Sequence, residues 1–271
     1  MGSATRSYDA SLLDLAAKRP RLAAALRRAE ERRAANTASL LSGARFKGLE
    51  ELLRDLDDLT GAFESDAGLS RLAALLARSV ADFETAIEAC LSGYLSVAVD
   101  AMRDVMEVEN LLLDFAVLPA HIDQWLTAGP KDLRSKFKPA TVRRRLHEAR
   151  EGQYASSQDS ADYRAHSAAL HVSPHRNPLT ARGFLPEQGF EGDAAFWELF
   201  EHARRLRIAI RRLVIARSPG SAAETITAKT LIDVEDAWQR TQEMQAIYLA
   251  LGQAAAGTGA EDDDLTNRRR S

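Results

Sequence analysis

Of the six histidines in this 271-residue chain, three (His166, His171 and His175) crowd into the segment YRAHSAALHVSPHRNP. A zinc site there would use His171 and His175 four residues apart, but Pro174 should end the helix that aligns them. No neighbouring cysteine or second carboxylate completes a tetrahedral shell, so no metal is expected. Arg164 and His171 form a better pair. Seven residues at about 100° each return to nearly the same helix face, about 10 Å further along the axis. Ser167 sits between them on that side. A guanidinium can hold a phosphate through paired hydrogen bonds, and an imidazole can pass protons near neutral pH, so the combination suits phosphodiester chemistry. The plainer alternative makes Arg164 a solvated helix residue and His171 a helix-end cap or a filler of a polar gap.

A second polar line runs through SVAVDAMRDVMEVENLLLDF, where Asp100, Arg103, Asp104, Glu107 and Asp114 mark an otherwise apolar helix. Arg103 and Glu107 are an i, i+4 pair. As a surface ion pair it contributes a few tenths of a kcal/mol. A helix this apolar should be largely buried, however, and charges on it then need partners. Arg164 and His171 from another helix are candidates for that role.

Helical periodicity dominates the segments that must position these residues, and alternating strand patterns are missing. The spacing predicts helices over Tyr8–Ala35, Phe46–Phe63 and Leu69–Leu118, the last divided at Ser92-Gly93. Shorter helices follow around Ile122–Leu126, over Thr141–Glu151 and over Ser160–Val172, the last stopping before Pro174. A loop from His175 to Asp193 leads to two long helices, Ala194–Arg217 and Ala222–Gly252. The expected fold is an all-α helical bundle at residues 67–252, with an N-terminal helical extension at 1–66 and a disordered polar tail at 253–271.

The two chemistry-bearing segments together resemble a group of bacterial helical proteins in which Arg-x-x-x-Glu is followed by Tyr-x-x-x-Ser-x-x-x-His. The matching residues are Arg103 with Glu107, then Tyr163, Ser167 and His171. The six residues between Arg164 and His171 also resemble the Arg-x(4–6)-His signature of the HEPN (higher eukaryotes and prokaryotes nucleotide-binding) superfamily. That resemblance implies a HEPN-like bundle, a homodimer with a composite site, and a metal-independent endoribonuclease of toxin or phage-defence type that uses no cofactor. His171 would then be the general acid/base and Arg164 the phosphate ligand, with Arg103, Glu107, Ser167 and Tyr163 in support. Some HEPN-like proteins bind without cutting. The alternative is therefore a non-catalytic helical scaffold for a protein or nucleotide partner, with the same residues as a structural network.

Composition narrows the remaining choices. The single Cys90 excludes a disulfide scaffold and multi-cysteine metal sites. No phosphate-binding loop, nucleophile elbow or zinc-protease helix occurs, and Gly257-Thr258-Gly259 has no strand before it. A net charge of −3 argues against a general nucleic-acid coat, yet charge is segregated. Residues 131–150 hold eight basic side chains against Asp132 and Glu148, and Arg204, Arg207 and Arg211 form a row further on. Both patches are candidate contacts for an RNA backbone or, alternatively, solvated faces balanced by acidic helices. Trp125, Trp197 and Trp238 lie among apolar neighbours and are expected in the core or at an interface. The first 20 residues do not read as a secretory signal and no membrane span is apparent, so a cytoplasmic location is expected.

Overall fold

The computed structural model describes residues 14–40, 46–149 and 190–239, and within them every regular element is helical. The protein is all-α. The helices are α1 (Pro20–Leu40), α2 (Phe46–Ser65), α3 (Ala73–Leu91), α4 (Leu95–Val117), α5 (Ala120–Leu126), α6 (Pro130–Lys136), α7 (Pro139–Ala149), α8 (Phe190–Arg217) and α9 (Ala222–Ala228). A 3-10 turn, Ser70–Leu72, leads into α3, and the chain is helical again over 232–239.

The middle of the fold is α4, because its sequence is apolar around most of its circumference. It buries twelve residues, from Ala98 to Phe115, including Met102, Val105, Met106 and Leu112. Its most extensive neighbours are α8 and α3, and α7 packs along it as well. Around it α2 contributes Leu49, Leu52, Leu56, Leu59 and Phe63, spaced three, four, three and four residues apart, which is one stripe of a helix. Phe63, Phe83, Phe115 and Phe200 are fully buried in one continuous core that runs from Leu49 to Ala237. Each such side chain contributes roughly 1.5–3 kcal/mol by leaving water.

Breaks in the chain follow local chemistry. The α3–α4 division falls at Ser92–Tyr94, where Gly93 adopts φ +75°. The Tyr94 N–H donates to the Ala89 carbonyl at 2.7 Å and the Gly93 N–H to Cys90 at 3.1 Å, which closes the helix end as a Schellman motif. At the other end of α4, Leu118 precedes Pro119 and leaves the helical region. The expected Tyr8–Ala35 helix is interrupted: residues 14–18 are helical, Arg19 is not, and α1 begins at Pro20 and continues to Leu40. A proline disfavours helical geometry in the residue before it and has no N–H to donate, so it restarts the helix there.

The expected Ala222–Gly252 helix is also divided. It stops at Ala228, Lys229 turns extended, and the helix resumes at residue 232. Its start is well specified, since the Ser221 hydroxyl accepts from the Glu224 N–H at 3.2 Å and Glu224 reaches back to the Gly220 N–H. Its end is made by a distant residue. Arg207 of α8 donates to the carbonyls of Ile226 (3.2 Å) and Lys229 (3.0 Å), the last acceptors of that short helix. The 232–239 helix then lies so close to α2 that a Cβ on Gly48 would stand 2.6 Å from the Asp233 carbonyl oxygen. Glycine is required there for backbone approach.

Candidate functional site

The polar line on α4 is present and carries ion pairs. Arg103 lies 3.6 Å from Glu107, with 29% and 34% of the side chains exposed. Asp104, one step round the helix, accepts from Arg78 of α3 at 2.5 Å, and Arg78 also lies 3.8 Å from Asp82. The partner this stripe needed therefore comes from α3, a residue that the sequence pattern did not single out. Burial pushes the Glu107 carboxyl up, and Arg103 pulls it back only in part. Asp82 is raised for the same reason, with Asp104 adding to the effect. Arg78 is held above its usual value by its hydrogen bond to Asp104.

Tyr163, Arg164, Ser167 and His171, and also His166 and His175, lie outside the described residues. Of the expected constellation, the structure brings together Arg103 and Glu107.

A second cluster, missed in the sequence, ties down the far end of α4. Asp114 is 1% exposed and receives two hydrogen bonds from Arg145 of α7, both 2.7 Å. His121 of α5 approaches the same carboxylate through Nδ1 at 2.8 Å. A carboxylate only accepts, so the Nδ1 position carries the proton in this contact. Arg145 also donates to the Lys136 carbonyl at 2.6 Å, and both its guanidinium and the His121 ring lie against Phe137. One buried carboxylate thus fastens α5, α6 and α7 to α4. No spacing rule announces it, because the partners stand 7 and 31 residues from Asp114 and Pro119 intervenes.

Further along, Arg207 bonds Asp55 of α2, which is 4% exposed. Arg204 binds Glu201 at 3.0 Å and lies over the Trp238 ring at 4.0 Å. Arg205 lies 3.8 Å from the buried Glu109. The basic row that was a candidate RNA contact is therefore largely absorbed: of Arg204, Arg207 and Arg211, the first two serve acidic residues within the bundle. In the 131–150 patch, Arg145 is committed to Asp114, Lys136 lies 3.4 Å from Asp132, and Arg144 lies 3.9 Å from Glu148. Trp125 packs on Phe115 and Trp238 under Arg204, while the Trp197 side chain lies outside the description.

Among the described residues no group of three or more histidine, cysteine or carboxylate side chains is arranged to hold a metal ion. None of their helices is long and apolar enough to cross a membrane. Burial and the nearby Glu198 carboxylate push the Cys90 thiol up to about 12, so it stays protonated and unreactive. A void of about 10 Å³ beside Arg207, lined by Leu52, Leu56, Leu59, Ala203 and Ile210, has room for one water. No protein-family model, curated protein or solved structure matches this chain.

Proposed function

We propose that the protein is an RNA-directed effector of HEPN-like type, a metal-independent endoribonuclease serving phage defence or the stress response. The observation that carries this reading is the Arg103–Glu107 pair. It sits on a largely buried, apolar helix, one third open to solvent, with a carboxyl group that burial pushes above its ordinary value. An ion pair in that position can orient polar groups from a neighbouring segment, which is the supporting role that the resemblance gives it. In the reaction, His171 takes the proton of a ribose 2′-hydroxyl as its oxygen bonds to the adjacent phosphorus. The bond from phosphorus to the 5′-oxygen breaks, and that oxygen takes back the proton held by the His171 imidazolium. Arg164 neutralises the phosphate charge as it builds. A homodimer brings the two halves of a composite site together.

The second reading is a non-catalytic helical scaffold, and a specific observation favours it: the central arginines Arg145 and Arg207 are spent on buried carboxylates. Cleavage of RNA by the full chain in the presence of a chelator separates the two. The nuclease reading expects cutting that is lost in His171→Ala and toxicity on expression that is relieved by Arg164→Ala. Cutting that survives His171→Ala overturns the assigned role, and no cutting of any RNA favours the scaffold.

A further inference from the structure

We infer that α1 is a docking surface for the phosphate backbone of single-stranded RNA, an assignment that rests on the RNA-directed reading above. The helix carries five arginines against two glutamates over Pro20–Leu40. Arg21, Arg27, Arg28 and Arg32 are exposed, and none has a hydrogen bond or ion pair among the described residues. Arg21, Arg28 and Arg32 are spaced seven and four residues apart, which places them along one line of the helix, with Arg27 beside it. Of the two carboxylates, Glu30 lies 4.0 Å from Arg33, and Glu31 flanks the line with no ion pair among the described residues.

Among the described residues, polar ties between the helix and the bundle lie towards its C-terminal half. Arg33 reaches Glu88 at 3.2 Å, the Asn36 amide donates to the Leu91 carbonyl at 2.8 Å, and Arg32 leans over Gly93. Its N-terminal half buries Ala23 alone and leaves Leu22 and Leu26 exposed at 59% and 46%. An arginine already paired to a buried carboxylate gives nothing to a polyanion, because its charge is compensated. An unpaired, solvated one gains a phosphate and releases that phosphate's counterion. The free cations of α1 are therefore suited to a phosphate backbone. A lipid surface fits less well, since such binding scales with bulky apolar area and the helix shows two leucines and no aromatic residue there.

The test measures binding of the full chain to a 2′-O-methyl oligoribonucleotide, which cannot undergo 2′-hydroxyl attack, across a range of salt concentrations. The comparison is between wild type, the triple variant Arg21→Gln, Arg27→Gln, Arg28→Gln, and a control, Arg54→Gln, Arg71→Gln, Arg78→Gln, that removes equal charge at exposed arginines already paired to carboxylates. Each phosphate contact on a single strand contributes about 0.7 to the slope of log affinity against log salt, so the α1 variant should lose about 2 of slope. Its affinity at about 0.1 M salt should fall at least roughly tenfold, with the control close to wild type. Equal slopes in the two variants, or no salt-dependent binding by wild type, overturn the assignment. Loss of binding to phosphatidylserine vesicles with RNA binding intact overturns it in favour of a membrane. Unmodified RNA keeps the two proposals apart. RNA held through α1 but never cut sinks the nuclease reading alone. Cutting at the wild-type rate with an unchanged slope in the α1 variant sinks the docking surface alone.

Discussion

Arginines in two regions of this molecule live in different physical circumstances. In the bundle, Arg145 and Arg207 are about one fifth exposed and sit against carboxylates of 1% and 5% exposure. On α1, Arg21, Arg27 and Arg28 are exposed and have no partner among the described residues. The same residue type is a strut in one place and a free charge in the other. What separates them is the acid across the way: Asp114 and Asp55 are carried into the core by α4 and α2 and would be costly there without compensation. A count of basic residues along the chain cannot see this, and the richest basic run, 131–150, turns out to be partly spent inside the fold.

The largest effect expected from this difference is on stability. Arg145→Ala leaves the Asp114 carboxylate buried with the His121 ring still hydrogen-bonded to it but without its guanidinium, and should cost about 3–5 kcal/mol in chemical denaturation. Arg28→Ala should change stability by less than about 0.5 kcal/mol, as exposed substitutions do. Comparable losses at the two positions would dissolve the distinction.

A smaller but still clear loss is expected at Arg207. Its removal strands Asp55 and also the carbonyls that end α9, Ile226 and Lys229, although the site is more open than that of Asp114. About 2–3 kcal/mol should go in Arg207→Ala. A double-mutant cycle with Asp55→Asn should recover part of it, because the neutral amide no longer demands a cation. Strict additivity would mean that the short contact between them contributes little and that the helix end accounts for the loss.

How much of this was legible in advance depended on the range of the interaction. The α3–α4 division at Ser92-Gly93, the stripe Leu49 to Phe63 and the apolar character of α4 are local patterns, and the fold class follows from them. The Arg103–Glu107 pair is likewise set by helical spacing. Arg207 and Asp55 are 152 residues apart and Arg145 and Asp114 are 31, so only the packed bundle brings them together. The same holds for the end of α9, where α8 supplies the capping group and no residue nearby signals a stop. Arg78, the partner of Asp104, belongs to this set too, and the site residues between Tyr163 and His171 lie outside the described part of the chain.

Between strut and free charge lies the Arg103–Glu107 pair, and its pH response sharpens where the boundary falls. Burial raises the Glu107 carboxyl above its ordinary 4.5, and Arg103 opposes this without cancelling it. In the window from the unfolded value up to the raised one, the folded protein keeps a proton that the unfolded chain releases. Rising pH through that window therefore removes stability, and mild acidification restores it. Asp82, also raised by burial, acts with the same sign. Asp66 has the opposite sign, since its hydrogen bond from Ser218 lowers it, but its contribution is lost only as pH falls below the ordinary 3.8. Glu107→Gln should accordingly gain on wild type in melting temperature as pH climbs above 4.5, a modest trend read most cleanly as the difference between the two curves. If wild type gains on the variant instead, the attraction to Arg103 outweighs the burial of the carboxylate. The pair would then belong with the struts of the bundle, and its supporting role for His171 and Arg164 would lose its physical basis.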